Sequence, residues 1–109
     1  MSSKARRDKK RYIAFRIEAP REITRKEFIG AIRQGVPEKE TWEQMKPWLT
    51  VFEGNFGILR CFYLSKDEAI HLLNSITHIG RERVPVSVTT LGTSGSIKKA
   101  KSKFPSPSI

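Results

Sequence analysis

Along residues 12–91, apolar positions repeat with a period of two, then a helical period, then two, two, helical and two. Few folds accommodate that order. From Tyr12 to Glu18, Ile13, Phe15 and Ile17 alternate with Tyr12, Ala14 and Arg16, which predicts a strand with one core face. Thr24 with Glu27 three residues on makes a capping box, and Phe28, Ile29, Ile32 and Val36 share one stripe. A helix over about 24–34 follows, stopped by Gly35 and Pro37. Residues 38–46 read as a short helix that brings Trp42 and Met45 together before Pro47 ends it. Trp48–Glu53 and Gly57–Leu64 read as an antiparallel hairpin around Gly54 and Asn55. Ser65 with Glu68 is a second capping box, opening a helix with a buried stripe of Ala69, Leu72, Leu73, Ile76 and Ile79 and an end at Gly80. Val84–Leu91 is the final strand, and Pro85 near its start places it at a sheet edge.

Strand, helix, strand, strand, helix, strand is the split pattern of α+β ferredoxin-like and RNA-recognition-like sandwiches. A four-stranded antiparallel sheet is expected, with two helices on one face, a short extra helix, and the other face open. The chain divides into a basic arm over residues 1–10, the sandwich over 11–92, and a basic segment over 93–109. In that last segment Ile97–Phe104 can form one short helix, and residues 105–109 should fray.

Charge separates the ends from the middle. The net charge is +10. Residues 1–11 carry Lys4, Arg6, Arg7, Lys9, Lys10 and Arg11 against Asp8, a balance of +5; residues 92–109 carry Lys98, Lys99, Lys101 and Lys103 with no acid, a balance of +4. Two basic segments framing a nearly neutral domain suit a polyanionic partner better than a solubilising tail would. No apolar run has the ~18–20 residues of a membrane span, and no apolar stretch follows the basic start, so a secretory leader is not expected and the cytosol is the expected compartment. One cysteine, Cys61, excludes an intrachain disulfide, and with His71 and His78 it makes no zinc-finger spacing.

Catalytic groups are sparse. His71 and His78 lie about two turns apart on the polar side of the expected second helix, too far for one metal, and read as solvated. Cys61 reads as a small core residue, and no close carboxylate pair is evident. In RNA-recognition domains the open sheet face stacks aromatic rings on bases, but here the corresponding run is Phe56, Gly57, Ile58, Leu59, Arg60 and Cys61, with two of the three aromatic positions lost. Arg60 turns Ile58, Arg60 and Phe62 to the open side. With Tyr12, and with Trp48 and Phe52 beside them, they form an apolar face for a protein partner or for the C-terminal segment. Gly92, Thr93, Ser94, Gly95 and Ser96 read as a turn before a helix start, a candidate phosphate-binding turn followed by Lys98 and Lys99.

Three separated motifs resemble one family: Arg7–Phe15 at the start, Phe56–Cys61 after Pro47-Trp48-Leu49, and Leu91–Lys99 near the end. In that order they resemble the archaeal ribonuclease P protein component 2 family, which has eukaryotic counterparts in ribonucleases P and MRP. The resemblance runs through residues 7–104, and 35–46 is its least distinctive part. It implies an accessory subunit of the ribonucleoprotein that removes the 5′ leader of precursor tRNA, with no catalytic residue and no metal site of its own. The catalyst would be the RNA with its bound magnesium ions. Implied partners are the ribonuclease P RNA, protein component 3 in a heterodimer or heterotetramer, other protein subunits and, indirectly, precursor tRNA, with no membrane. It implies Arg11, Arg60, Lys98 and Lys99 as RNA contacts, whereas Arg6, Arg7, Lys9, Lys10, Lys101 and Lys103 rest on charge alone. The alternatives are a stand-alone single-stranded RNA-binding domain, against which the missing aromatics count, and a small enzyme on a ferredoxin-like scaffold, for which no constellation is found.

Overall fold

The structure is a computed structural model describing residues 9–104. Arg6 and Arg7 lie outside the described residues, as do 105–109. Strand β1 spans Lys10–Glu18, helix α1 Arg25–Gly35 and helix α2 Lys39–Met45. The hairpin β2–β3 spans Trp48–Glu53 and Phe56–Phe62, and helix α3 Lys66–Ser75. Two short strands follow, β4 (His78–Ile79) and β5 (Val84–Pro85), then β6 (Ser87–Ser94) and helix α4 (Ile97–Lys103). The main sheet has the order β2-β3-β1-β6 with every pairing antiparallel, the ferredoxin-like arrangement the patterning predicts.

Local chemistry explains most of the boundaries. The Thr24 hydroxyl accepts from the Glu27 amide while the Glu27 carboxylate accepts from the Thr24 amide, so the first capping box forms. At the hairpin, Gly54 (φ 57°) and Asn55 (φ 63°) are both left-handed, as the favoured two-residue turn requires. Asn55 also ties this turn to the rest of the sheet: its side-chain oxygen accepts from the Ile23 amide at 2.9 Å and its carbonyl from the Ile17 amide at 2.8 Å.

One face of the sheet packs against α1 and α3. Ile13, Phe15, Ile17, Leu59, Cys61 and Val88 meet Phe28, Ala31, Ile32, Ala69, Leu72 and Leu73 there. Phe15 stacks on Phe28 at 5.0 Å, and Phe28 on Phe52 at 5.5 Å. Phe15 reaches the sheet because Gly57 has no side chain; a methyl there would overlap its ring.

Five expectations are corrected. Ile29 is exposed, and Ala31 takes its place in the buried stripe of α1. Phe52 joins the helix-side core instead of the open face, because the β2–β3 register slips at Thr50: Leu49 pairs with Leu59 but Val51 with Ile58, which reverses every later side chain. The Ser65 capping box does not form. Tyr63–Ser65 is a 3-10 turn, and Ser65 (φ −102°, ψ 14°) lacks the extended backbone that such a cap needs. Helix α3 stops at Ser75, where the Ser75 hydroxyl donates to the Leu72 carbonyl at 2.7 Å and the Ile76 amide turns back to Leu73. Ile76 and Ile79 stay buried, but Ile79 pairs with Val84 in the β4–β5 ribbon and Gly80 (φ 81°) serves its turn. Finally, β6 starts at Ser87, leaving Pro85 in the ribbon, and runs on to Ser94.

Candidate nucleic-acid interface

The face of the sheet away from α1 and α3 is only partly open. Helix α4 lies across it, with Ala100 packed on Ala14, Phe56 and Ile58, and with Ile97, Phe104, Val51 and Tyr12 at the margins. Gly92 makes this possible, since a methyl at that position would overlap the Phe104 ring. The Ser96 hydroxyl accepts from the Lys99 amide at 3.2 Å and starts the helix. Ile58, Arg60 and Phe62 do face this side, but Ile58 is wholly buried under α4 and cannot meet a partner. Tyr12 and Phe62 keep partial exposure. The covering helix also buries Phe56, the aromatic best placed by motif to stack on a base.

The phosphate-binding turn is corrected as well. Gly92, Thr93 and Ser94 belong to β6 and pair with Ala14, Ile13 and Tyr12, leaving Gly95 and Ser96 as the link to α4. Leu91 is the extra residue at a bulge there, since Phe15 pairs with Thr90 and Ala14 with Gly92.

The two basic segments meet at one end of the sheet. Tyr12 on β1 pairs with Ser94 on β6, and Lys10 with Phe62 on β3. The Arg11 guanidinium lies 3.8 Å from where a side chain on Gly95 would begin, so the start of β1 and the entry to α4 are neighbours. Lys98, Lys99, Lys101 and Lys103 are exposed on α4, with Lys103 set over the Phe104 ring. Arg60 is half-buried between its pairing neighbours Tyr12 and Trp48, and its Nε is buried with no hydrogen-bond partner among the described residues. A buried donor without an acceptor costs about 1–3 kcal/mol.

Of the ten described acids, five (Glu27, Glu40, Glu43, Asp67 and Glu68) belong to the helices α1, α2 and α3, whereas Glu53 on β2 borders the same cleft as Lys101 of α4. Arg21 bridges Glu27 at 2.8 Å and Glu82 at 3.7 Å, and its guanidinium, with the Thr24 amide, draws the Glu27 carboxyl down to about 2. Burial pushes the Cys61 thiol up to about 11, which leaves it protonated and inert as a core residue should be. His71 and His78 are exposed, but His78 belongs to β4 rather than to a helix. Among the described residues no three His, Cys, Asp or Glu side chains are grouped as a bound metal requires. No helix among them is long and apolar enough to cross a membrane.

Sequence reasoning missed Tyr63 and Lys46. Tyr63 carries Lys9 at 5.6 Å and Arg11 at 5.9 Å from its ring centre, and Lys46 lies 5.8 Å over Phe62. Tyr63 follows the strand in a 3-10 turn that no motif position marks, and Lys46 reaches Phe62 from a left-handed C-cap (φ 50°). Only the tertiary fold joins them.

Comparison with known proteins gives a consistent family. A family model described as Rpp14/Pop5 matches residues 11–105. The chain is 39% identical over 102 residues to ribonuclease P protein component 2 of Methanocaldococcus jannaschii, covering 90% of this chain and 74% of that protein. It is 37% identical to the protein of the same name from Archaeoglobus fulgidus, covering 90% of each. Among solved structures, a chain of yeast ribonuclease MRP superposes with a TM-score of 0.64 at 13% identity, covering 81% of this chain and 75% of that one, which shows a shared fold.

Proposed function

Because the chain belongs to the Rpp14/Pop5 family, we propose that it is a non-catalytic protein subunit of ribonuclease P, the ribonucleoprotein that removes the 5′ leader of precursor tRNA. The observation that carries this reading is the meeting of the two basic segments at one end of the sheet, where the Arg11 guanidinium lies beside Gly95 just ahead of α4. Lys9, Lys10, Arg11, Arg60, Lys98, Lys99, Lys101 and Lys103 line the approach of an RNA backbone there, and Arg6 and Arg7 precede it in the chain. Their role is electrostatic. Fixed cations replace part of the counterion atmosphere that lets RNA strands pack closely, so the RNA folds its catalytic domain with fewer free ions. Cleavage is carried out by the RNA with its magnesium ions, in the cytoplasm, together with component 3 and the other protein subunits.

Component 3 takes the side of Phe62 that carries Leu64. There Leu64, 71% exposed, borders a shallow cleft with Glu43, Gln44, Lys46 and Glu68. Leu64→Asp is expected to weaken co-elution with component 3 at least tenfold while RNA affinity falls less than twofold. Equal loss of both would remove this division of surfaces.

A magnesium titration of precursor-tRNA cleavage tests the function itself. Alone, the protein should cleave nothing at any magnesium concentration. Added with component 3 to the ribonuclease P RNA, it should lower the magnesium needed and raise the rate at moderate magnesium. RNA-independent cleavage that follows the protein through purification, and is lost on replacing one carboxylate, would make it a nuclease instead.

A further inference from the structure

We propose that Tyr63 is a stacking platform for one unpaired base of the partner RNA, with Lys9 and Arg11 moving to the phosphates on either side of that base. The inference rests on the RNA-binding reading above and adds the group that meets a nucleobase. The ring is held in place before anything binds: the Tyr63 amide donates to the Lys9 carbonyl at 3.2 Å, and Phe62 packs edge-on against the ring at 5.1 Å and 65°. A planar group fixed by its neighbours loses little entropy when a base lies on it. Its present cover is loose. Lys9 and Arg11 sit 5.6 and 5.9 Å from the ring centre, near the ~6 Å limit at which a cation over an aromatic face still gains. Neither makes an ion pair among the described residues, and Arg11 is tied by a hydrogen bond from Nη1 to the adjacent Lys10 carbonyl at 3.0 Å, which a phosphate oxygen can replace.

The surroundings select the occupant. Lys10 pairs with Phe62, Lys46 lies over Phe62, and Arg11 and Lys66 both act electrostatically on Cys61, the strand partner of Arg11. Glu43 and Glu68 border a cleft lined by Phe62, Leu64 and Lys46 but not by Tyr63. An aromatic face ringed by cations fits a single strand, where the base supplies the stacking and the backbone the charge. A partner's carboxylate would satisfy Arg11 but leave the ring face unused.

The test uses the full chain, with two probes: the ribonuclease P RNA and a ~12-nucleotide oligouridylate. Tyr63→Leu should weaken both roughly tenfold, toward the lower end of the range for losing one stacked base. The slope of log affinity on log salt should stay unchanged, because no charge is removed. Tyr63→Phe, which keeps the ring and removes only the hydroxyl, should bind within about twofold of wild type, an outcome that a hydrogen bond from the hydroxyl to RNA would not give. A 4-thiouridine version of the oligonucleotide, photo-crosslinked to the unmodified protein, should label the peptide containing Tyr63, and this holds even where the Leu variant fails to fold. If wild type binds RNA but Tyr63→Leu binds equally well, or the crosslink lies elsewhere, the platform is wrong and the RNA reading stands. If wild type binds neither probe, the RNA reading falls with it. If Tyr63→Leu weakens component 3 and spares RNA, the ring belongs to a protein interface and the proposal is overturned.

Discussion

On the helix side of the sheet Phe15 lies across Gly57, and on the outer side Phe104 lies across Gly92, in both places because a glycine lets a ring rest on the strand. The surroundings differ. Phe15 is locked into a three-ring stack with Phe28 and Phe52 inside a core built from every strand of the main sheet, α1 and α3. Phe104 belongs to a small cluster centred on Ala14, Phe56, Ile58 and Ala100, under a single helix of seven residues. A helix that short has no stability of its own and stays only by what it buries. Stability is therefore concentrated on the helix side of the sheet, and changes under α1 and α3 should be separable from changes on α4.

The largest effect should come from breaking the ring stack. Phe28→Ala leaves a cavity in the main core and should destabilise folding by about 3–5 kcal/mol, read from urea unfolding. A loss below about 1 kcal/mol would show that the stack is not where the fold's stability resides. The opposite probe replaces Lys98, Lys99, Lys101 and Lys103 together by Ala. It should flatten the salt slope of RNA binding by about three units while the urea midpoint moves little. An unchanged slope would reduce α4 to a cover with no part in binding.

The paired glycines give the sharpest comparison. Gly57→Ala forces a methyl into a ring that cannot yield and should cost about 1–3 kcal/mol, whereas Phe104, near the end of α4, can swing aside and keep the cost of Gly92→Ala under about 1 kcal/mol. Equal costs would mean that α4 is as firmly held as the core. The smallest effect is electrostatic. Glu27 titrates at about 2, below its ordinary 4.5, so its ionised form favours the folded state at and above pH 4.5, and that contribution disappears as pH falls from 4.5 toward 2. Side-chain NMR should show this midpoint, and Arg21→Ala should return it upward; a midpoint that stays put would assign the shift to the capping box alone.

The element order was legible because each segment carries its own periodicity and caps: Thr24 with Glu27, Gly54 with Asn55, and the alternation from Tyr12 to Glu18. The open face was legible from Arg60 alone. The slip at Thr50 was not, because a bulge depends on which partner residues pair, and Thr50 looks like any strand residue. Nor was the early end of α3, where Ile76 and Ile79 keep a helical spacing although Ile79 is in a strand. At the binding face the charges were readable as a list. Their meeting point was not, since Lys9, Arg11, Tyr63 and Lys46 come from three separate stretches of chain.

The position of β1 also sets an order of assembly. It is the first strand made and one of the two inner strands, paired with β3 on one side and β6 on the other. As the chain emerges from a ribosome, β1 can close with β3 once the hairpin is out, but its other edge stays open until β6 appears, after α3 and the β4–β5 ribbon. Contacts so distant in sequence form late, and an unpaired central edge invites wrong pairing while it lasts. The α4 cover comes later still, because Gly92 must be in register before Phe104 has a strand to lie on. The part of the cationic surface carried by α4 is therefore assembled only on a completed sheet.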